Sequence, residues 1–188
     1  MRIVAGKHRG RLLQAPAGRD IRPTSDRARE GLFNMLEHGG FGPGGASIVE
    51  GATVLDAFCG TGALAFEALS RGAAAATLID LNTAALEAVR ETARTLGESD
   101  RVAVVAKDAT APGPAPRAHG LVFLDPPYGS EAAVPALAAL VGHGWLAPGA
   151  IVAIECPAKG PLPELPEGFT ALRERRYGAA RMLIVGAP

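Results

Sequence analysis

The chain has 188 residues, 48% of them hydrophobic and 20% charged. That is enough apolar material for one domain with a core, or a domain plus a small extension. No apolar run is long enough to cross a bilayer, and the start, MRIVAGKHRGR, lacks the apolar stretch of a secretory signal, so a cytoplasmic protein is expected. Net charge is zero but unevenly laid out, since residues 1–29 hold eight Lys/Arg against two acids, Asp20 and Asp26. A basic segment on an acidic body fits either a polyanion partner for that segment or a solvated arm. Cys59 and Cys156 match no zinc spacing and read as reduced thiols. His8, His38, His119 and His143 show no metal spacing and read as surface or loop residues, so no metal is expected.

Residues 2–5 and 11–14 can pair as a small hairpin around Gly6 to Gly10. The stretch 26–38, DRAREGLFNMLEH, reads as a helix with Asp26 as its N-cap and Leu32, Phe33 and Leu36 on one face. Gly39-Gly40 ends it, and a glycine-rich link follows. From there strands and helices alternate: strand 53–58, helix 63–72, strand 76–81, helix 83–96, strand 102–106, a proline-rich loop 111–120, strand 121–125, helix 131–141 interrupted by Pro135, strand 150–156. A second proline-rich loop leads to 169–177 and 181–186, which read as a closing antiparallel hairpin. Trp145 is expected to anchor the turn before the fifth strand. Alternation of this kind implies an α/β fold with a mostly parallel sheet covered on both faces. Two parts are expected: a basic N-terminal extension of hairpin and helix over 1–40, and the α/β domain over 41–188.

VLDAFCGTGALA places Gly60-x-Gly62-x-x-Ala65 between the first strand and its helix, a context that supports a nucleotide site. Glycines there let the backbone approach a ligand. Asp80 ends the second strand, where an acid can accept ribose hydroxyls. Taken alone, this pattern suits a dinucleotide fold. Asp56 argues otherwise, because a carboxylate four residues before Gly60 repels a pyrophosphate and suits an ammonium group. Asp108, after the third strand, can accept from an adenine amine. The ligand these acids fit has an amine, a ribose and an adenine but no phosphate, as S-adenosylmethionine has. The expected cofactor residues are Asp56, Phe58, Gly60, Thr61, Gly62, Asp80, Leu81, Asp108 and Ala109.

The fourth strand runs into DPPYG, residues 125–129. An exocyclic base amine is a poor nucleophile, since its lone pair is delocalised into the ring. A catalyst must aim that lone pair and accept its N–H bonds. The Asp125 carboxylate and the Pro126 carbonyl can each accept one. Pro126 and Pro127 fix the backbone and offer no competing N–H. Tyr128 supplies a face for a flipped or single-stranded base, worth about 1–3 kcal/mol.

With these motifs in place, the chain resembles the bacterial 16S ribosomal RNA guanine-N2 methyltransferase D family, within the class I S-adenosylmethionine-dependent methyltransferases. MRIVAGKHRGRLL, RPTSDRAREGLFNML (22–36), LDAFCGTGALAFEALSRGA (55–73), FLDPPYG (123–129) and GWLAPGAIVAIE (144–155) carry the resemblance, in order and over nearly the whole chain. It implies a Rossmann-like sheet and direct methyl transfer to N2 of a guanine in small-subunit ribosomal RNA, with the RNA or the assembling subunit as partner; a monomer is the default expectation for the chain. It also implies RNA contact by Lys7, Arg9, Arg11, Arg19, Arg22 and Arg27, and places Thr24 at the rim of the cofactor pocket. Asp125 is then an acceptor and aligner rather than an obligatory base. Two departures stand out: Asp80 where glutamate is commoner in the family, and a short proline-rich loop after Asp108. The rival readings are an amino-methyltransferase acting on another RNA, a DNA base or a protein amide, an NAD-binding oxidoreductase, and a non-catalytic RNA-binding module.

Overall fold

A computed structural model describes residues 1–14, 25–127 and 130–188. Its seven-stranded sheet runs in the order β3-β2-β1-β4-β5-β7-β6. The strands are β1 Thr53–Ala57, β2 Ala75–Asp80, β3 Val102–Ala106, β4 His119–Leu124, β5 Leu146–Pro157, β6 Thr170–Tyr177 and β7 Ala180–Gly186. β1 to β5 are parallel, whereas β7 pairs antiparallel with both β5 and β6. This is the α/β sheet with a closing hairpin that the alternating pattern implied. The helices are α1 Asp26–His38, α2 Ala63–Ser70, α3 Thr83–Leu96 and α4 Ala133–Gly142.

Two apolar layers cover the sheet. Val54, Leu78, Phe123, Ala153 and Ile184 point to one face, where they pack with residues of α1, α2 and α3. Leu55, Ile79, Leu124, Ile154 and Leu183 point to the other, where α4 and Trp145 lie. This is the period-two alternation of a pleated strand, and each fully buried Leu, Ile or Phe adds about 1.5–3 kcal/mol. The N-terminal hairpin is minimal, a single Arg2–Leu12 bridge with Gly10 N–H donating to the Ile3 carbonyl at 2.9 Å. Ile3 and Leu13 join the same apolar cluster as α1 and α2.

Three local expectations need correction. Ser25, not Asp26, caps α1, accepting from the Ala28 N–H; the aspartate is the first helical residue and ion-pairs with Arg29 instead. Pro135 does not interrupt α4, because the helix begins at Ala133 and its proline falls in the first turn, where the missing N–H has no intrahelical use. His119 is not a surface residue: it is 1% exposed and its ring bridges the Trp145 carbonyl and the Thr77 hydroxyl. Trp145 does anchor the entry to β5, donating from Nε1 to the Gly113 carbonyl at 2.8 Å. Both cysteines are free and buried.

Candidate active site

Parallel strands deliver their carboxyl ends to one edge of the sheet, where open α/β folds bind ligands. That edge is lined with acids. Asp56 is the penultimate residue of β1, Asp80 the last of β2, Asp108 lies just beyond β3, Asp125 follows β4, and Glu155 is near the end of β5. Asp56 pairs in register with Phe123, and Ala57 with Leu124, so Asp125 comes off the strand beside Phe58.

The loop between β1 and α2 turns sharply. Phe58 has φ +63°, a value that a bulky side chain adopts only under strain. Gly60 follows with φ +51°, and a Cβ built there meets nothing within 4 Å, so the space above it is open to a ligand. Gly62 has φ +73° and opposite surroundings, because a Cβ there would lie 2.7 Å from Leu78. One glycine faces the open edge and the other packs against the core.

The acids hold this loop. Asp80 accepts the Gly60 N–H and the Asn82 N–H, each at 2.8 Å. Each carboxylate oxygen retains lone-pair capacity for a further donor, which leaves room for ribose hydroxyls. Leu81 beside it is 68% exposed, an apolar shelf at the edge. Asp56 lies beneath the loop at 1% exposure, with one oxygen accepting the Ala65 N–H at 3.0 Å. Burial pushes its carboxyl well above the ordinary value; the Ala65 N–H opposes the rise, and the negative charges of Asp125 and Asp80 add to it. Asp108 is held below the ordinary range by the N–H and the hydroxyl of Thr110. Ala109 and Thr61 are both buried. Asp125 and Pro126 are half-buried, and Pro127 is exposed. Thr24, Arg19, Arg22 and Tyr128 lie outside the described residues.

The expected RNA contacts on the hairpin fall elsewhere. Arg9, Arg11 and Arg27 are exposed, while Lys7 is ion-paired to Glu98 at 2.5 Å. The hairpin turn that carries Lys7 and Arg9 sits at the C-terminal end of α2, where the Lys7 N–H meets the Ser70 carbonyl. That is the end of the helical layer away from the acids. An open cavity of about 470 Å³ lies there, lined by Lys7, Glu37, Ser70, Arg71 and Arg101 among others. Its cations are committed to Glu98, Glu37 and Glu67, and it is remote from the acid row.

Periodicity gave no hint of what clamps the hairpin. Glu67 of α2 is fully buried; its carboxylate accepts the Val4 and Ala5 N–H groups at 2.8 and 3.0 Å, and it pairs with Arg71 and Arg29. Glu98 does the same for Lys7, His8 and Arg101. The available signal was a lone glutamate inside the apolar helix ALAFEALS.

The family described as "Conserved hypothetical protein 95" matches residues 1–186. Ribosomal RNA small subunit methyltransferase D of Escherichia coli (strain K12) is 35% identical over 95% of this chain and 85% of its own length. The protein of that name from Haemophilus influenzae is 34% identical over 95% of this chain and 89% of its own. The solved structure of Escherichia coli yhhF superposes with a TM-score of 0.83 at 32% identity, covering all of this chain and 97% of that one. An acid-lined sheet edge beneath a glycine loop therefore has relatives along the whole chain: it belongs to the ribosomal RNA small subunit methyltransferase D family.

Proposed function

We propose that this protein transfers a methyl group from S-adenosylmethionine to the exocyclic N2 amine of one guanine in small-subunit ribosomal RNA. The observation that carries the reading is the acid row, with Asp56, Asp80 and Asp108 around an open glycine loop and Asp125 one strand away. The residues present fit this cofactor. An amine, a ribose and an adenine each have an acidic acceptor, and the buried Asp56, its carboxyl raised by burial, is favoured in its charged form by a neighbouring cation such as the cofactor's ammonium group and not by a phosphate. The same argument disfavours a nicotinamide dinucleotide.

When bound, the cofactor supplies an electrophilic sulfonium methyl group. The chain's own contribution is to bind and aim. Asp80 accepts ribose hydroxyls while fixing the Gly60 backbone, and Asp108 accepts from the adenine amine with Leu81 and Ala109 beside the ring. Asp56 supports the amino-acid end from beneath the loop. Phe58, Thr61 and Gly62 shape the loop, and Thr24 borders the pocket. Asp125 and the Pro126 carbonyl take the two N–H bonds of the guanine amine, turning its lone pair toward the methyl group. Pro127 holds that turn and Tyr128 stacks on the base. The amine becomes strongly acidic on methylation and can lose its proton afterwards, so alignment suffices without a strong base.

Residues 1–40 form the RNA-contacting extension in this reading, with Lys7, Arg9, Arg11, Arg19, Arg22 and Arg27 meeting phosphates and residues 41–188 performing transfer. The enzyme acts as a cytoplasmic monomer on RNA or on the assembling small subunit. Among the described residues no helix is long and apolar enough to cross a membrane.

The test uses radiolabelled S-adenosylmethionine with small ribosomal subunits from cells lacking the cognate activity, beside naked RNA, duplex DNA and protein extract. Label in N2-methylguanosine of the small-subunit RNA is expected. Label in DNA or protein would keep the chemistry and overturn the substrate.

A further inference from the structure

We infer that a second basic surface, formed by β6 and the exposed flank of α1, binds the phosphate backbone of the RNA next to the target base. The inference rests on the proposed function and adds to it a surface separate from the N-terminal hairpin.

Register defines the surface. Arg173 pairs with Ile184, Arg175 with Met182 and Tyr177 with Ala180, and Ile184 and Met182 point to the α1 face of the sheet. Directly paired residues share a face, so Arg173, Arg175 and Tyr177 do as well. Two contacts confirm the placement. The Arg173 guanidinium lies 5.2 Å from the Phe41 ring just past α1, and the Tyr177 ring presses so closely on Gly31 that a Cβ there would lie 2.3 Å away. Helical geometry puts Arg27 and Asn34 on the Gly31 stripe, and both are exposed. Arg27, Arg173 and Arg175 thus lie on one continuous face.

Acids are sparse on that face among the described residues: Glu155 of β5 shares it, in register with Met182. Glu174 points to the other side of the sheet, where it meets Arg176 and Arg181. Glu37 is committed to Arg71, and Glu30, about 60° round the helix from Arg27, flanks the face without an ion pair to it among the described residues. Arg27 and Arg175 have no ion-pair partner within 4 Å among the described residues. Arg173 likewise has no ion pair among the described residues, and the excess of positive charge that the three arginines give this exposed face, in a chain of zero net charge, makes a local site for a polyanion.

Position selects the occupant. Tyr177 and Ala180 flank the tight turn from β6 into β7, and Ala180 and Arg181 pair with Pro157 and Cys156 at the carboxyl end of β5. The Tyr177 end of the surface therefore opens on the same edge as Asp125. Three strand spacings separate β4 from β6 in the sheet order, about 14 Å. Nucleotides flanking a base held at Asp125 cross this face. β6 is also the free edge of the sheet, and its row of arginines and the register shift between Ala171 and Arg173 block its use for strand pairing, which leaves the charge to nucleic acid.

The experiment compares wild type with the double variant Arg173→Ala/Arg175→Ala and with Arg117→Ala, which removes an exposed charge before β4 at the opposite edge. Binding to small ribosomal subunits is measured across a salt series, along with cofactor affinity and methyl transfer at saturating subunits. The double variant is expected to bind several-fold more weakly, with its salt slope reduced by about two, and to keep its cofactor affinity and saturated rate. Arg117→Ala should match wild type. If the wild type methylates subunits and the double variant binds like Arg117→Ala, the surface is wrong and the function stands. A wild type that neither binds nor methylates ribosomal RNA overturns the function and the surface with it.

Discussion

The Asp80 carboxylate accepts the Gly60 N–H at 2.8 Å, across the mouth between β1 and β2. One side chain therefore holds the glycine loop and presents its remaining lone pairs to a ligand in the same place. Charged hydrogen bonds of this kind contribute about 1.5–3 kcal/mol each. Asp80→Ala should lower S-adenosylmethionine affinity by at least about tenfold, because it removes the proposed ribose acceptor and frees the loop. Asp80→Asn, which keeps one carbonyl acceptor, should lose less. Calorimetric titration measures both, and unchanged affinity in Asp80→Ala would remove this residue from the cofactor site.

Burial, reinforced by Asp125 and Asp80, holds the Asp56 carboxyl well above its ordinary 3.8. The folded, cofactor-free protein then keeps a proton that the unfolded chain has lost. Between the ordinary value and the raised one, the folded state binds more protons, so stability falls as pH rises. A cofactor ammonium group near Asp56 reverses this by favouring the carboxylate, and binding releases a proton. Melting curves of the cofactor-free protein from about pH 5 to pH 8 should show Tm declining, with a flatter decline in Asp56→Asn. Equal slopes in the two proteins would assign the effect to other groups.

Elements whose signal is local were legible in the sequence. The short apolar run of TVLDA before a glycine turn and the helical spacing of TAALEAVRETARTL locate β1 and α3, because a buried strand and an amphipathic helix each leave their own local pattern. The acids of the site were legible for the same reason: strand ends predict an edge. Other features depend on partners distant in sequence. Glu67 meets Val4 and Ala5 more than sixty positions away, and His119 is buried because Thr77 and Trp145 satisfy its ring. No local pattern encodes such a contact. Phe58 is a third kind of case, since its positive φ is imposed by the turn and its side chain gives no sign of it.

Asp125 leaves β4 beside Phe58, within electrostatic reach of Asp56. If it aligns the target amine, Asp125→Ala should reduce kcat by about 10²- to 10³-fold while S-adenosylmethionine still binds. Asp125→Asn retains an acceptor oxygen and should keep more activity than alanine. Single-turnover transfer with saturating subunits, run beside cofactor titration, separates the two effects. Loss of cofactor binding in Asp125→Ala would place the residue in the cofactor site instead, and an asparagine variant as inactive as alanine would favour a base over an aligner.

Glu67 tests whether the hairpin depends on a buried charge. Its carboxylate accepts two backbone N–H groups of the hairpin and one from Arg71 Nε at 2.9 Å, and it lies 3.6 Å from Arg29 Nε. Both Arg29 and Glu67 are fully buried. Removing one partner of such a pair costs up to about 3–5 kcal/mol, and here leaves the buried Arg29 with only the half-exposed Asp26 as counter-charge. Glu67→Ala should therefore lower Tm sharply and expose the amides of Val4 and Ala5 to hydrogen exchange. Glu67→Leu is no milder, because Arg29 remains. The double variant Glu67→Leu/Arg29→Met removes both buried charges and should recover much of the lost stability, although the two hairpin amides stay unsatisfied. Recovery in the double variant, with those amides still exchanging fast, separates the ion pair from the backbone clamp. If the double variant is no more stable than Glu67→Ala, the backbone clamp rather than the buried pair holds the hairpin.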